Sequence, residues 1–117
     1  MRAQNTPARK RARKAVMKAA SGFHAGRHRQ YRRALEATKR AEQQAFIGRK
    51  LKKRDFRQLW ITRINIAARN NGLSYSRFIS GLSRLGIELD RKQLSELAIH
   101  QPEAFTALVE QAKGALD

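Results

Sequence analysis

The sequence has no cysteine. That excludes a disulfide framework and any thiolate metal site, and it fits a reducing compartment. Acids are scarce: nine Asp and Glu stand against 26 Lys and Arg, a formal net charge of +17. Charge of one sign on that scale repels itself and opposes compaction unless a polyanion neutralises it. No apolar run approaches the roughly 20 residues that a bilayer-spanning helix needs. The N-terminus lacks the apolar core of a secretory signal. Proline occurs only at Pro7 and Pro102, so nothing between them breaks a helix by removing a backbone donor. Absent too are a Gly-rich phosphate loop ahead of a helix and any nucleophile–base pair at an interpretable spacing. A reading as an enzyme has no residues to rest on.

What is present is a basic chain of 117 residues with a pI near 11.6, enough for about one small domain plus an extension. The charge is unevenly placed. Residues 1–54 hold 18 Lys and Arg against two acids, Glu36 and Glu42, a net of +16. Residues 55–117 hold eight against seven, a net of +1. Large hydrophobes follow the opposite trend, sparse before Phe46 and frequent after Leu51. The chain therefore divides into a basic extension, 1–54, and a small globular domain, 55–117, that can bury a core.

The strongest signal lies in the extension. Arg9, Lys10, Arg11, Arg13 and Lys14 place five positive charges in six residues, with Lys18 one turn on. Arg49, Lys50, Lys52, Lys53 and Arg54 repeat the pattern, and Arg27, Arg29, Arg32, Arg33, Lys39 and Arg40 lie between. Solvated charged helices usually mix signs, which pair at i, i+4; two acids cannot absorb this much charge. Arginine's rigid fork matches phosphate oxygens, so the partner is a nucleic acid. A membrane-active basic helix needs an opposed face of Leu, Phe or Trp. Residues 9–45 offer mainly Ala, with Val16, Met17, Phe23, Tyr31 and Leu35 scattered. A basic, acid-poor N-terminus is also what organelle transit peptides look like, so an organellar origin stays open beside a cytoplasmic one.

No strand alternation is visible, and the predicted fold class is all-α: a long basic N-terminal helical extension plus a small C-terminal helical bundle. Residues 1–8 read as irregular, Arg9 to Ala20 as helix, and Gly22 to Gly26 as a break. From about Arg27 to Asn70 one long helix is expected, with a bend at Gly48 its one candidate irregularity. Some 40 residues of helix span roughly 60 Å, more than a small domain can cover. Phe56, Leu59, Trp60, Ile64, Ala67 and Ala68 recur at helical spacing and predict the buried face. Asn70-Asn71-Gly72 closes the helix. Three short helices follow, capped by Ser74 and Asp90 or opened by Pro102. Tyr75, Phe78, Ile79, Leu82, Leu85, Leu94, Leu97, Ala98, Phe105, Leu108, Val109 and Ala112 face inward, with Ile87 and Leu89 plugging the core.

Phe23, Tyr31 and Phe46 either stack on unpaired bases or pack against the helices; residue spacing leaves both open. His24 and His28 stand four apart, the spacing of metal ligands on a helix. With no carboxylate or cysteine near and Arg27 and Arg29 beside them, RNA is the better partner. Asp55, after three basic residues, is expected to orient an arginine, and His100 to lie at the surface. No metal, cofactor or small-molecule substrate is expected.

Residues 52–79 contain Lys-Lys-Arg-Asp-Phe-Arg-Gln-Leu-Trp-Ile-Thr-Arg-Ile-Asn, then Ala-Arg-Asn-Asn-Gly-Leu-Ser-Tyr-Ser-Arg-Phe-Ile. This closely resembles the ribosomal protein twenty family of the bacterial large subunit, as do Asp90-Arg91-Lys92-Gln93-Leu94 and Phe105-Thr106-Ala107-Leu108-Val109. The resemblance covers about residues 9–116. It implies an extension that threads into 23S ribosomal RNA and a helical domain on the RNA surface. The implied role is structural, in early assembly of the large subunit rather than in peptidyl transfer. Partners would be 23S rRNA and neighbouring large-subunit proteins, in cytoplasmic or organellar ribosomes, with no membrane. From the shared motif, RNA contact is carried onto Lys52, Lys53, Arg54, Arg57, Arg63, Arg69, Asn70 and Tyr75. The family's Gly-Tyr/Phe-x-Gly is met by Gly22-Phe23, but Ala25 stands at the second glycine and Gly26 one place later. The resemblance also implies a second possible role, a messenger-RNA-binding repressor of its own operon, and the charge alone would equally suit a DNA-compacting protein.

Overall fold

The structure, a computed structural model, describes residues 6–116. Among these residues it is entirely helical between its turns, without strands: α1 (Pro7–Ala19), α2 (Gly26–Arg29), α3 (Tyr31–Asn70), α4 (Tyr75–Arg84), α5 (Arg91–His100) and α6 (Pro102–Gly114).

Helix α1 begins two residues before the expected start. Thr6 is its N-cap, with Oγ1 accepting from the Arg9 backbone N–H at 3.4 Å. Pro7 sits in the first turn, where its missing donor costs nothing. The irregular start expected over residues 1–8 otherwise lies at residues 1–5, outside the described residues. The long helix also begins later than expected, at Tyr31 rather than Arg27. Gln30 is extended (φ −101°, ψ 120°) and separates α2 from α3. Its N–H donates to the Gly26 carbonyl at 2.9 Å, while its own carbonyl accepts from Ala34 at 2.8 Å. The chain thus turns a corner with its hydrogen bonds intact, and uniform Arg-rich composition on both sides hides that corner from periodicity. Helix α3 then continues through Gly48 without a break.

The remaining boundaries follow the cap chemistry. Gly72 (φ +85°) lets the Leu73 N–H return to the Ala68 carbonyl at 3.0 Å. Gly86 (φ +68°) does the same for Ile87 and Leu82 at 3.1 Å. Asp90 forms a full capping box: its Oδ1 accepts from Gln93 N–H at 2.8 Å, and Gln93 Oε1 accepts from Asp90 N–H at 3.1 Å. Ser74 occupies the N-cap of α4 in extended backbone, but its side chain makes no capping bond. Pro102 opens α6, with Glu103 in its first turn.

The chain divides into two compact units between Lys50 and Leu51, inside α3. In the first, the buried side chains are small: Ala20, Ala34 and Thr38. Arg13 of α1 lies 4.8 Å over the Tyr31 ring. The second unit holds the hydrophobic core. Ile64 and Ala68 of α3 pack with Leu73, Phe78, Leu82, Leu94, Phe105, Val109 and Ala112. The Phe78 and Phe105 rings meet with centroids 5.1 Å apart. At Gly81 an added Cβ would sit 2.7 Å from the Ala112 carbonyl oxygen and 2.8 Å from its Cβ, so α4 and α6 approach as closely as backbone allows.

Part of the expected core is not core. Phe56 is 43% exposed and Leu59 41%, while Trp60 is half-buried and outside the central cluster. Leu85 and Leu89 are exposed as well, whereas Ile87 packs against the cluster. The helical period identifies one face correctly. Only the part of that face near Ile64 and Ala68 meets the returning helices.

Candidate nucleic-acid interface

In α1, Arg9, Lys10, Arg11, Arg13, Lys14 and Lys18 are exposed. At about 100° per residue they cover an arc of roughly 200°, and Ala8, Ala12, Ala15, Val16 and Ala19 fill the opposite side. The only protein-facing surface is thin: Val16 and Met17 are half-buried, and Ala20 beyond the helix is buried. A basic arc this broad, exposed to solvent, suits a polyanionic partner lying along the helix.

The turn after α1 carries the departure from the glycine pattern. Gly22 takes φ +86°, and Ala25 takes φ +49°, ψ −126°. The second is a glycine backbone conformation that an alanine occupies at a cost of roughly 1–3 kcal/mol. Ala25, which stands where the resemblance expects a glycine, thus takes a conformation that glycine adopts freely. Arg27 and Arg29 beyond it are exposed. His28 Nε2 accepts from Arg29 Nε at 3.3 Å, while its Nδ1 is buried without a partner. His24 and His28 do not gather ligands: among the described residues no three His, Cys, Asp or Glu are grouped to hold a metal.

Along α3, Arg32 and Arg33 are exposed, and from Lys39 to Leu59 every residue is exposed. That is roughly six turns of helix without a neighbour to bury any of its residues. It contains Arg49, Lys50, Lys52, Lys53, Arg54 and Arg57, together with Phe46 (55% exposed), Ile47, Leu51, Phe56 and Leu59. Two ammonium groups lie over rings, Lys50 Nζ 4.6 Å from the Phe46 centroid and Lys52 Nζ 6.0 Å from that of Phe56. Cations and aromatic faces therefore share one surface, as a ligand with both phosphates and bases would require. Of the three arm aromatics, Phe46 is open, Tyr31 lies under Arg13, and Phe23 is half-buried.

Internal neutralisation is nearly absent. Apart from Arg9, the one contact of a carboxylate with a basic side chain among the described residues joins Glu96 to the His100 imidazole at 3.2 Å. Asp55, expected to orient an arginine, makes none. In the second unit the nominated residues are tied more closely to the fold. Arg63 is half-buried, and Arg69 Nε donates to Asn65 Oδ1 at 3.2 Å. Asn70 is the exposed last residue of α3. Tyr75 packs against the core, and its hydroxyl accepts from Arg91 Nε at 2.8 Å. Arg91 was not nominated from sequence. Its signal was the Asp90-Arg91-Lys92 start of α5, which the capping role of Asp90 obscured.

The comparisons with known proteins agree with one another. The family model described as Ribosomal protein L20 matches residues 2–108. A large ribosomal subunit protein bL20 of Aeromonas hydrophila is 60% identical over 103 residues, covering 88% of this chain and 87% of that protein. The protein of the same name from Koribacter versatilis is 55% identical over 107 residues, 92% of this chain and 88% of its own length. That of Thermosipho africanus is 51% identical over 116 residues, 99% and 98% respectively.

Proposed function

From the premise that the chain belongs to the ribosomal protein L20 family, we propose that it is a structural constituent of the large ribosomal subunit that binds 23S rRNA and promotes early assembly. The observation that carries this is the exposed stretch from Lys39 to Leu59, which holds eight cations against two acids and is buried by nothing among the described residues. A polyanion releases counterions as it neutralises such a surface, and that release drives binding. The half that ends near Arg54 supplies charge, and the helices around Phe78 and Phe105 supply a rigid body that sets register. Specificity comes from RNA shape and phosphate geometry rather than from a base code alone. Neighbouring large-subunit proteins and the ribosome of the cytoplasm complete the setting.

The test is binding of the intact chain to large-subunit rRNA, to unrelated RNA of equal length and to duplex DNA, across a salt series. With about ten phosphates neutralised, log affinity should fall against log salt with a slope near −7 to −9. A preference for rRNA should survive as salt rises. Equal affinities that vanish together would leave a non-specific polycation, and a preference for duplex DNA would make it a DNA-compacting protein. For assembly, reconstitution of large subunits without the protein should accumulate a lighter particle. Full-size particles formed at the normal rate would remove that part of the reading.

A further inference from the structure

Beside the turn after α1 lies an open groove of about 870 Å³, formed within the first unit by residues of the turn and one face of α3. Its size falls in the roughly 300–1,000 Å³ range of small-molecule sites. Phe23 and His24 line the turn side, while Arg33, Glu36 and Arg40 line the helix side. These three helix residues recur at i, i+3 and i+7 and therefore share a face. Between them Ala37 and Ala41 present only methyl groups, which leaves the floor open. Arg33 is placed from the other side: a Cβ added at Gly26 would meet its Nη1 at 3.2 Å and its Cδ at 3.3 Å, so the side chain lies against the Gly26 backbone.

Glu36 is the anomaly. It is one of two acids in the first 54 residues. Arg33 stands three residues before it and Arg40 four after, the positions at which helical carboxylates pair. It nevertheless makes no ion pair. Its two oxygens are exposed acceptors on a groove that Arg27, Arg33 and Arg40 also line. Against RNA, a carboxylate is repelled by phosphate and welcomed only by base N–H groups. Among the four bases, guanine alone presents two adjacent donors on its Watson–Crick edge, N1–H and N2–H, matching both carboxylate oxygens. Adenine and cytosine place an acceptor beside their amino group there, and uracil flanks its single N–H with two carbonyls. In a duplex that guanine edge is occupied, so the base must be unpaired.

We propose that this groove takes an unpaired guanosine of the bound RNA. Glu36 accepts from N1–H and N2–H, Phe23 covers a face of the base, and Arg33 and Arg40 hold the adjoining phosphates. The inference rests on the RNA-binding reading above and adds a base-specific contact to it.

The experiment is chemical probing of 23S rRNA, alone and with the intact protein, by a 1,2-dicarbonyl reagent that adds across N1 and N2 of unpaired guanine. Affinities are measured on the same samples. The wild-type chain should protect an unpaired guanine. Glu36→Gln should restore its reactivity and weaken rRNA binding roughly ten- to hundredfold, leaving the preference for rRNA in place. Phe23→Leu, which keeps apolar bulk but loses the flat ring, should weaken the same protection. Glu42→Gln, the same charge change on another face of α3, should leave protection as in wild type. Tight rRNA binding with no guanine protected would overturn the guanosine site and spare the RNA-binding reading, as would equal protection by wild type and Glu36→Gln. Failure of the wild-type chain to prefer rRNA would instead remove the reading on which the site rests.

Discussion

Up to Lys50, the buried residues among those described are two alanines and a threonine; from Leu51 on, they include Ile64, Phe78, Leu94, Phe105 and Val109. Both regions are helical, yet they are held by different forces. The second has the familiar arrangement, in which helices last because an apolar face is buried against neighbours. The first has strong helix formers and caps, but nearly no buried area to offset the repulsion among its cations. Its helices are completed by whatever neutralises them. A surface that a polyanion is to neutralise cannot also bury its own charge, and the near absence of internal ion pairs is what such a surface needs.

Four variants test this contrast. Phe105→Ala should have the largest effect, destabilising the C-terminal cluster by about 3–5 kcal/mol through lost burial and the cavity left beside Phe78. Urea unfolding followed by tryptophan fluorescence and circular dichroism would show it; a loss under about 1 kcal/mol would mean the cluster is not the stabilising core. Next, changing Arg11, Arg13, Lys14 and Lys18 together to Gln should lower RNA affinity on the order of a hundredfold at about 0.15 M salt and flatten the salt slope by about three. The urea midpoint of the C-terminal unit should not move. If it does, the two regions are not energetically separate.

Gly81→Ala follows, expected to cost about 1–3 kcal/mol by overpacking against Ala112. A neutral result would show that α4 and α6 can part without loss. The smallest effect is a gain. Gly48 has open space where a Cβ would go, so Gly48→Ala should favour the helix by about 0.8–1 kcal/mol, visible as raised helicity by circular dichroism without RNA. If affinity for rRNA falls despite that gain, the glycine marks a close approach of the RNA.

Much of this architecture was legible in the residues. Asp90 with Gln93, Pro102, Gly72 and Gly86 announced their helix ends because caps are local: each needs only three or four residues to satisfy an exposed backbone group. Thr6-Pro7 carried the same kind of signal and was overlooked among polar neighbours. The corner at Gln30 had no such signal. For the candidate interface, the segments could be named from charge alone, but the standing of single residues could not. Tyr75 packs against the core and accepts a hydrogen bond from Arg91, and Glu36 matters for the ion pairs it does not make.

Sequence by itself determined the all-α class, the concentration of cationic charge before Arg54 and the family, because composition, caps and motif spacing are properties of the linear chain. Tertiary structure decided which apolar residues are core. Phe56, Leu59, Ile64 and Ala68 lie on one continuous helical stripe, and periodicity treats them alike. Ile64 and Ala68 are buried because Phe78, Phe105 and Val109 return to them, while Phe56 and Leu59 stay exposed because nothing does. A repeat of 3.6 residues specifies a face, but burial needs a second surface, and where that surface ends is settled only when the chain folds back.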